Sequence, residues 1–235
     1  MNDMLNIVTK YHHLLFTGSY PNGPLGGLAL TLLIAAAGLL CAFPLAILVG
    51  IARTSKYKIF YLPVTLFSSV VRGLPVLMLV FWSYFAVPLI SGHSISGVKT
   101  LIVALVIYEM AFLGEIVRAG INSVPRGQIE AARTLGISYS QTMCEIILPQ
   151  ALFTMIPSIL NQFINLIKNT SLGYVIGVAE LTYSAYQINT LELTQPLQVF
   201  AILAIIYFII CFSLTRAVGK LENMIQRKRQ INPQE

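Results

Sequence analysis

The chain has 235 residues, of which 56% are hydrophobic and only 10% carry a formal charge. Soluble domains average about a quarter charged residues, so this composition excludes an ordinary soluble protein and indicates an integral membrane protein. The net charge of +6 is interpreted as a signal of membrane topology. It does not predict nucleic-acid binding.

Long apolar runs define the fold class. A helical membrane span needs about 20 such residues, and the pattern predicts an all-α integral membrane protein with five transmembrane helices. Residues 1–24 are expected to form an external N-terminal segment, and residues 218–235 a cytoplasmic basic tail. The predicted spans are residues 25–51, 74–90, 100–121, 148–167 and 197–217.

The apolar run over residues 61–90 is too long for one straight crossing, and Pro63, Gly73 and Pro75 are predicted to interrupt it. We expect an interfacial helix over residues 59–69 ahead of the second span. Arg72 stands at the interruption, and two interpretations are open. Its guanidinium either reaches toward lipid phosphates or faces a polar pathway.

Two carboxylates lie within the third predicted span. Charged groups at membrane depth are costly and usually face the interior of a helix bundle. Glu115 and Arg118 are three residues apart and are expected to pair. Glu109 has no evident local partner, so it either hydrogen-bonds between packed helices or forms part of a translocation path.

The most polar internal segment lies between the third and fourth spans. Ser123 is predicted to cap a helix, and Gly136 to end that helix in the left-handed conformation. Ser138 and Gln141 predict a capping box that starts a second short helix, and Pro149 marks entry into the next apolar run. We therefore expect a helix, a tight turn and a second helix outside the bilayer.

The fourth span carries polar amides. Asn161 and Asn165 share one helix face, which suits a helix that lines a cavity or packs against a second subunit. The apolar stretch over residues 172–185 is too short to cross the membrane. It is expected to form a re-entrant or interfacial helix, with Glu180 near its end.

The sequence Glu130-Ala131-Ala132, followed by Gly136 and by Ile147-Leu148-Pro149, resembles the EAA loop of permease subunits in binding-protein-dependent ABC importers. The resemblance covers residues 26–217 and implies the type I ABC importer permease fold. Loop 123–147 would be the coupling helix that docks on a cytoplasmic ATPase. The implied coupling residues are Glu130, Ala131, Ala132, Gly136 and Pro149. The competing interpretation is a surface helix in which Glu130 pairs with Arg126 or Arg133.

The stretches Arg72-Gly73-Leu74-Pro75 and Lys168-Asn169-Thr170-Ser171-Leu172 also resemble this family. The whole pattern is most similar to its polar amino acid branch, which includes histidine, glutamine and glutamate/aspartate permeases. From this resemblance we expect the substrate to be glutamate, aspartate or glutamine. Many relatives carry aspartate at the position of Asn169, so a cationic substrate is not implied. The residues assigned to the substrate path are Arg72, Glu109, Asn161, Asn165, Lys168, Asn169, Thr170, Ser171 and Glu180.

The resemblance implies three partners: a second permease, identical or sibling, a cytoplasmic ABC ATPase dimer that uses ATP and Mg²⁺, and an external solute-binding protein. The chain has no P-loop, since its Gly219-Lys220 pair lacks the upstream glycine and the following Ser or Thr. We predict no catalytic residue, no bound cofactor and no metal site in this chain.

The basic residues predict the orientation. With the C-terminus in the cytoplasm, residues 53–58, 118–145 and 216–235 lie inside and hold most of the Lys and Arg, as the positive-inside rule requires. The N-terminus is then external, and the expected location is a bacterial inner membrane. Two alternatives are a self-sufficient carrier or channel, which often has inverted repeats, and a scaffold without transport.

Overall fold

The structure, a computed structural model, describes residues 2–93 and 95–231, so residues 232–235 of the predicted tail lie outside the described residues. The described chain is helical and contains no β-strand. A π-helical turn at Thr142–Ile147 joins α7 to α8, and a 3-10 helix at Thr170–Ile176 follows α8. The α-helices are α1 (Asn2–Phe16), α2 (Gly27–Thr54), α3 (Lys58–Gly73), α4 (Val76–Ser91), α5 (Gly97–Ser123), α6 (Arg126–Thr134), α7 (Tyr139–Gln141), α8 (Leu148–Asn169), α9 (Leu181–Leu191) and α10 (Pro196–Ile231).

Four helical stretches of the described chain are long and apolar enough to cross a membrane by themselves. They are Gly27–Thr54, Gly97–Ser123, Tyr139–Ile176 and Pro196–Arg227. A fifth span arises when α3 and α4 are counted together as one bent pair. The second predicted span falls on α4, whose 16 residues are short of the length that a straight crossing needs.

The predicted interruption before α4 is confirmed. Helix α3 ends at Gly73, and Pro75 takes the N-cap position of α4 with φ −58°. Proline has no backbone N–H to continue a helix and disfavours helical geometry at the residue before it. The first of the two helices is longer than predicted, since it covers residues 58–73. The predicted interruption at Pro63 is wrong: this proline lies inside α3, near its start.

The chain divides into two compact units. The first comprises residues 1–40, 74–106 and 163–215, and its main core contains Ile34, Leu101, Leu105 and Ile167, none of them exposed. A second apolar cluster joins α1 to α9 through Ile7, Leu15, Leu181, Ala185 and Ile188. Helix α1 was not predicted; it forms because residues 2–16 present an apolar face to this cluster.

An ion pair near the start of the chain reinforces the α1 contact. Lys10 Nζ lies 2.7 Å from Glu192 Oε1, and the Tyr11 hydroxyl donates to the same oxygen at 2.8 Å. The hydrogen bond with Glu192, followed by that with Tyr11, raises the pKa of Lys10 to about 12. The bond from Lys10, followed by that from Tyr11, lowers the pKa of the Glu192 carboxyl.

The second unit comprises residues 41–73, 107–162 and 216–235. Its core includes Val117, Ile121, Met143, Ile147 and Ala151. Within this unit α2 and α5 approach closely at two glycines, as small residues permit in membrane helices. A Cβ added at Gly50 would lie 2.6 Å from Val117 Cβ, and one added at Gly114 would lie 3.0 Å from Val49 Cβ.

Two predicted helix boundaries differ from those in the structure. Helix α10 continues through the end of the fifth predicted span into the basic tail, because residues 216–227 contain no proline and a single glycine, which a helix tolerates. Glu180 does not end a helix. It stands at the N-cap of α9, after a turn at Gly177.

Candidate functional site

Helix α6 carries the EAA sequence, and it begins differently from the prediction. Ser123 is not its cap: α5 runs to Ser123, whose hydroxyl donates to the Gly120 carbonyl at 2.7 Å. Pro125 is the N-cap residue of α6, with φ −55°. Because its ring fixes this φ and it lacks an N–H, proline separates α5 from α6.

The end of α6 confirms the prediction for Gly136. This residue has φ +72°, a left-handed conformation that is strained for residues with a Cβ. Its N–H donates to the Arg133 carbonyl, and the Ile137 N–H donates to the Ala132 carbonyl, each at 3.0 Å. This pair of bonds is a Schellman motif, which satisfies the last carbonyls of the helix.

The three EAA residues have different environments. Glu130 and Ala131 are exposed, whereas Ala132 is buried against the rest of its unit. Among the ion pairs of the described chain none involves Glu130. The structure therefore lacks the pair with Arg126 or Arg133 on which the surface-helix interpretation depended.

The predicted capping box at Ser138 and Gln141 is confirmed. The Ser138 hydroxyl accepts from the Gln141 N–H at 3.4 Å, and the Gln141 side chain accepts from the Ser138 N–H at 3.3 Å. The helix that starts here is not short, because the π-helical turn carries it directly into α8. Pro149 lies in the first turn of α8 and does not separate the two.

A side-chain contact links α6 to α8. Gln150 Nε2 donates to Gln128 Oε1 at 2.6 Å, and it also donates to the carbonyl of Ile146 at 2.9 Å. The Ile146 bond fixes the Gln150 side chain along its own helix. The EAA helix is thus attached to a predicted span by a polar contact as well as by apolar packing.

Glu115 forms ion pairs with three arginines. Its carboxylate contacts Arg53 Nη1, Arg118 Nη2 and, at 3.1 Å, Arg72 Nη1. The predicted pair with Arg118 is confirmed. The pair between Arg72 and Glu115 was not predicted, and it leaves both interpretations of Arg72 open. Its guanidinium also lies 5.5 Å from the centroid of the Phe112 ring, within cation–π range.

This cluster holds an excess of positive charge, since one carboxylate faces three guanidiniums that remain protonated in proteins. The Arg53 side chain is only 10% exposed, and its Nε has no hydrogen-bond partner among the described residues. Arg72 is 38% exposed. The arrangement can therefore bind a further anion through donors that Glu115 does not occupy.

Glu109 is fully buried in α5 and accepts a hydrogen bond from Gln162 Nε2 at 2.8 Å. This contact favours the first of its two predicted roles, a polar contact between packed helices. Buried polar groups are stable where such partners exist.

The polar face of α8 is accessible. Asn161, Asn165 and Lys168 are exposed on one side of the helix, whereas Pro157 is buried. The end of the motif at residues 168–172 is less accessible to solvent. Thr170 is buried, and its hydroxyl donates to the Ile167 carbonyl at 2.7 Å. Ser171 donates to the Lys168 carbonyl at 2.6 Å, and Asn169 is half-buried.

Glu180 is buried, and its carboxylate is used within its own unit. It accepts from the backbone N–H groups of Thr182 and Tyr183 at 2.9 and 3.0 Å, which caps α9. The Tyr207 hydroxyl donates to it at 3.2 Å. These contacts give Glu180 a structural role.

The model of one protein family, described as "Binding-protein-dependent transport system inner membrane component", matches residues 42–227. The chain belongs to this family. Among its relatives is the probable glutamine ABC transporter permease protein GlnP of Bacillus subtilis (strain 168), which is 37% identical over 213 residues, covering 88% of this chain and 97% of the relative. The arginine transport system permease protein ArtQ of the same organism is 33% identical over 92% of this chain and 98% of its own.

Solved structures agree with this permease along nearly its whole length. A protein titled "Crystal structure of an amino acid ABC transporter with histidines" has a TM-score of 0.82 and 29% identity, covering 94% of this chain and 98% of that one. A MetNI methionine ABC transporter in an inward-facing conformation has a TM-score of 0.64 at 22% identity, which supports the fold alone. The predicted type I importer fold is confirmed.

Family membership decides between the predicted function classes. This permease is the membrane subunit of an ABC importer, and ATP hydrolysis belongs to a separate subunit. The carrier and scaffold alternatives are wrong.

Three contacts of the site were not predicted from the sequence. They are the pair of Arg53 with Glu115, the bond of Gln162 with Glu109, and the Gln128–Gln150 contact. Charge at a helix end was the only signal for Arg53, and the two amide contacts depend on helix packing.

Proposed function

We propose that this permease forms the translocation path for a polar amino acid, with an acidic or amide side chain preferred: glutamate, aspartate or glutamine. The observation that carries the preference is the excess positive charge around Glu115, since the substrate's carboxylates pair well with arginine. The names of the glutamine permeases of Bacillus subtilis and Escherichia coli (strain K12), 37% and 34% identical, support the amide.

The proposed path uses residues of two kinds. Arg72, beside Glu115, supplies a half-exposed donor for a substrate carboxylate. Asn161, Asn165 and Lys168 supply amide and ammonium groups along the accessible face of α8. The remaining assignments, Glu109, Asn169, Thr170, Ser171 and Glu180, are retained as predictions, with Glu109, Thr170 and Glu180 serving chiefly to hold the helices that border the path.

The proposed coupling surface is the exposed side of α6, around Glu130 and Ala131. A small side chain allows close approach of a partner, and the carboxylate can pair with a basic partner residue. Ala132 packs beneath this surface, Gly136 ends the helix, and Pro149 follows in α8. The partner is an ABC ATPase dimer that binds ATP and Mg²⁺, and closure of that dimer would move α6.

We further propose the assembly and its orientation. Two permease chains, identical or sibling, would enclose the path, and an external binding protein would deliver the amino acid. The N-terminus would face outside and the C-terminus the cytoplasm of a bacterial inner membrane, because the basic residues concentrate in the segments that carry α6 and the tail.

The substrate is tested with the assembled complex in proteoliposomes. ATP hydrolysis and uptake are measured with binding protein loaded with glutamine, glutamate, aspartate, histidine or arginine. We expect the first three to stimulate both, and Arg72→Gln to lower uptake of glutamate and aspartate more than that of glutamine. Lys220→Gln, which removes one charge from the tail, is the matched control. Selective stimulation by arginine or histidine would refute the proposed preference.

A further inference from the structure

A groove of about 580 Å³ lies beside the EAA helix, within the second compact unit. It is bordered by the turn between α2 and α3, the start of α3, helix α6 and the start of α7. The residues that define its chemistry are Lys56, Tyr57, Phe60, Ile129, Arg133 and Tyr139. None of these residues belongs to the proposed substrate path or to the exposed EAA surface.

The groove combines two positive charges with aromatic and apolar side chains. Its lining contains no carboxylate, and no ion pair among the described residues involves Lys56 or Arg133. Both basic side chains are exposed, as are Tyr57 at 71% and Tyr139 at 58%. Tyrosines beside basic residues are typical of the boundary between the bilayer and water.

The groove lies beside an apolar surface of α3. Phe60 lines the groove, and α3 then exposes Ile59, Leu62 and Leu66, with 77%, 64% and 65% of their surfaces accessible. In a membrane protein such a face contacts acyl chains. The groove is also lined by α6, a polar helix between two predicted spans that we expect outside the hydrocarbon.

We propose that this groove binds an anionic phospholipid, with Lys56 and Arg133 at its headgroup phosphate and the acyl chains along the apolar face of α3. The occupant is identified by charge complementarity and by continuity with the lipid-facing surface. Ile129 and Arg133 belong to the same helix as the coupling residues. The bound lipid therefore contacts the helix that carries the EAA residues and steadies it.

Lipid retention by the purified complex tests this proposal. The complex is equilibrated in detergent with equal amounts of phosphatidylglycerol and phosphatidylcholine, and bound lipid is measured by native mass spectrometry. The double variant K56Q/R133Q is compared with K58Q/R126Q, which removes one lysine at the start of α3 and one arginine of α6 but leaves the groove lining intact. We expect wild type and control to retain phosphatidylglycerol preferentially, and K56Q/R133Q to lose about fivefold for each charge removed.

Further experiments distinguish a lipid headgroup from a soluble phosphate as the bound anion. Soluble glycerol phosphate and inorganic phosphate are added to the wild-type complex, and neither is expected to displace phosphatidylglycerol at equal concentration, because neither uses the apolar face. Displacement by either, or equal loss in both double variants, would overturn the lipid site. The charge-conserving variant K56R/R133K is expected to keep the preference for phosphatidylglycerol. This result would show that substitution at these two positions does not by itself disrupt the fold.

The rival occupant is an acidic surface of the ATPase. Loss of ATPase co-purification in K56Q/R133Q, with unchanged phosphatidylglycerol retention, would overturn the proposal in favour of that protein contact. The retention assay requires no transported substrate. Its failure would leave the proposed amino acid specificity standing, and failure of that specificity would leave the lipid site standing.

Discussion

Gln162 of α8 donates its side-chain N–H to Glu109 of α5 across 2.8 Å, and this joins two predicted spans through a buried carboxylate. A buried hydrogen-bond donor that loses its partner costs about 1–3 kcal/mol. The pair therefore bears on stability as well as on the proposed path, and two substitutions at Glu109 separate these effects.

Glu109→Ala is expected to lower the free energy of unfolding by about 1–3 kcal/mol, because Gln162 is left without its acceptor. Glu109→Gln keeps an acceptor oxygen and is expected to stay close to wild type in thermal stability. Unfolding temperature and uptake are measured for both variants in the assembled complex. If Glu109→Gln kept its stability but abolished uptake, the carboxylate would belong to the path instead.

Glu115→Gln is expected to destabilise the permease more than any single change among its arginine partners. It leaves three guanidiniums without their shared carboxylate, at a cost of about 2–3 kcal/mol for partly buried charges. Arg72→Gln should cost under about 1 kcal/mol, because that side chain is 38% exposed. The double variant E115Q/R72Q should be more stable than E115Q alone. Thermal unfolding of E115Q, R72Q and E115Q/R72Q checks this order. If E115Q/R72Q were less stable than E115Q, repulsion among the unpaired arginines would not be the cause of the loss.

Close packing of α2 on α5 predicts a contrast between glycines. Gly50→Ala and Gly114→Ala each place a methyl group against a valine of the facing helix, and overpacking costs about 1–3 kcal/mol. Gly219→Ala is the control, because no described atom lies within 4 Å of its added Cβ. Unfolding temperatures should fall for the first two variants only. Equal unfolding temperatures for all three variants would mean that α2 and α5 move apart readily.

Features set by local sequence were predictable. Long apolar runs located the four helices that can cross a membrane by themselves. Gly136 marked the end of α6 by its tolerance of positive φ, and Ser138 with Gln141 marked a cap by a local exchange of hydrogen bonds. Ser123 misled because a serine hydroxyl can also bond back to its own helix, as it does to Gly120.

Features set by packing between distant segments were not predictable. Arg53 and Glu115 are 62 residues apart, and their contact depends on the register of α2 against α5. Glu180 was placed at the end of a helix because hydropathy does not reveal a buried cap. Two of its three acceptor bonds are local to the start of α9, and only the bond from Tyr207 forms once α9 and α10 come together.

The left-handed residue after α6 predicts a selective effect on coupling. Gly136→Ala adds a Cβ at φ +72°, a strain of about 1 kcal/mol, and should loosen the Schellman motif. Gly136→Asn is the matched control, since asparagine tolerates this conformation better. Amino acid uptake per ATP hydrolysed should fall for the alanine variant and recover in the asparagine variant. Equal loss in both would indicate that the partner requires a bare backbone at this position.

The contact between Gln128 and Gln150 predicts that α6 transmits motion to α8 partly through one hydrogen bond. Gln128→Ala and Gln150→Ala should each reduce uptake per ATP hydrolysed by about twofold to tenfold, the range of one net hydrogen bond. The double variant should be no worse than either single variant, because the same contact is lost. Thr134→Ala is the control, since that hydroxyl bonds only within α6, to the Glu130 carbonyl. Additive losses, or an equal loss in the control, would show that the two glutamines act separately and that apolar packing alone carries the motion.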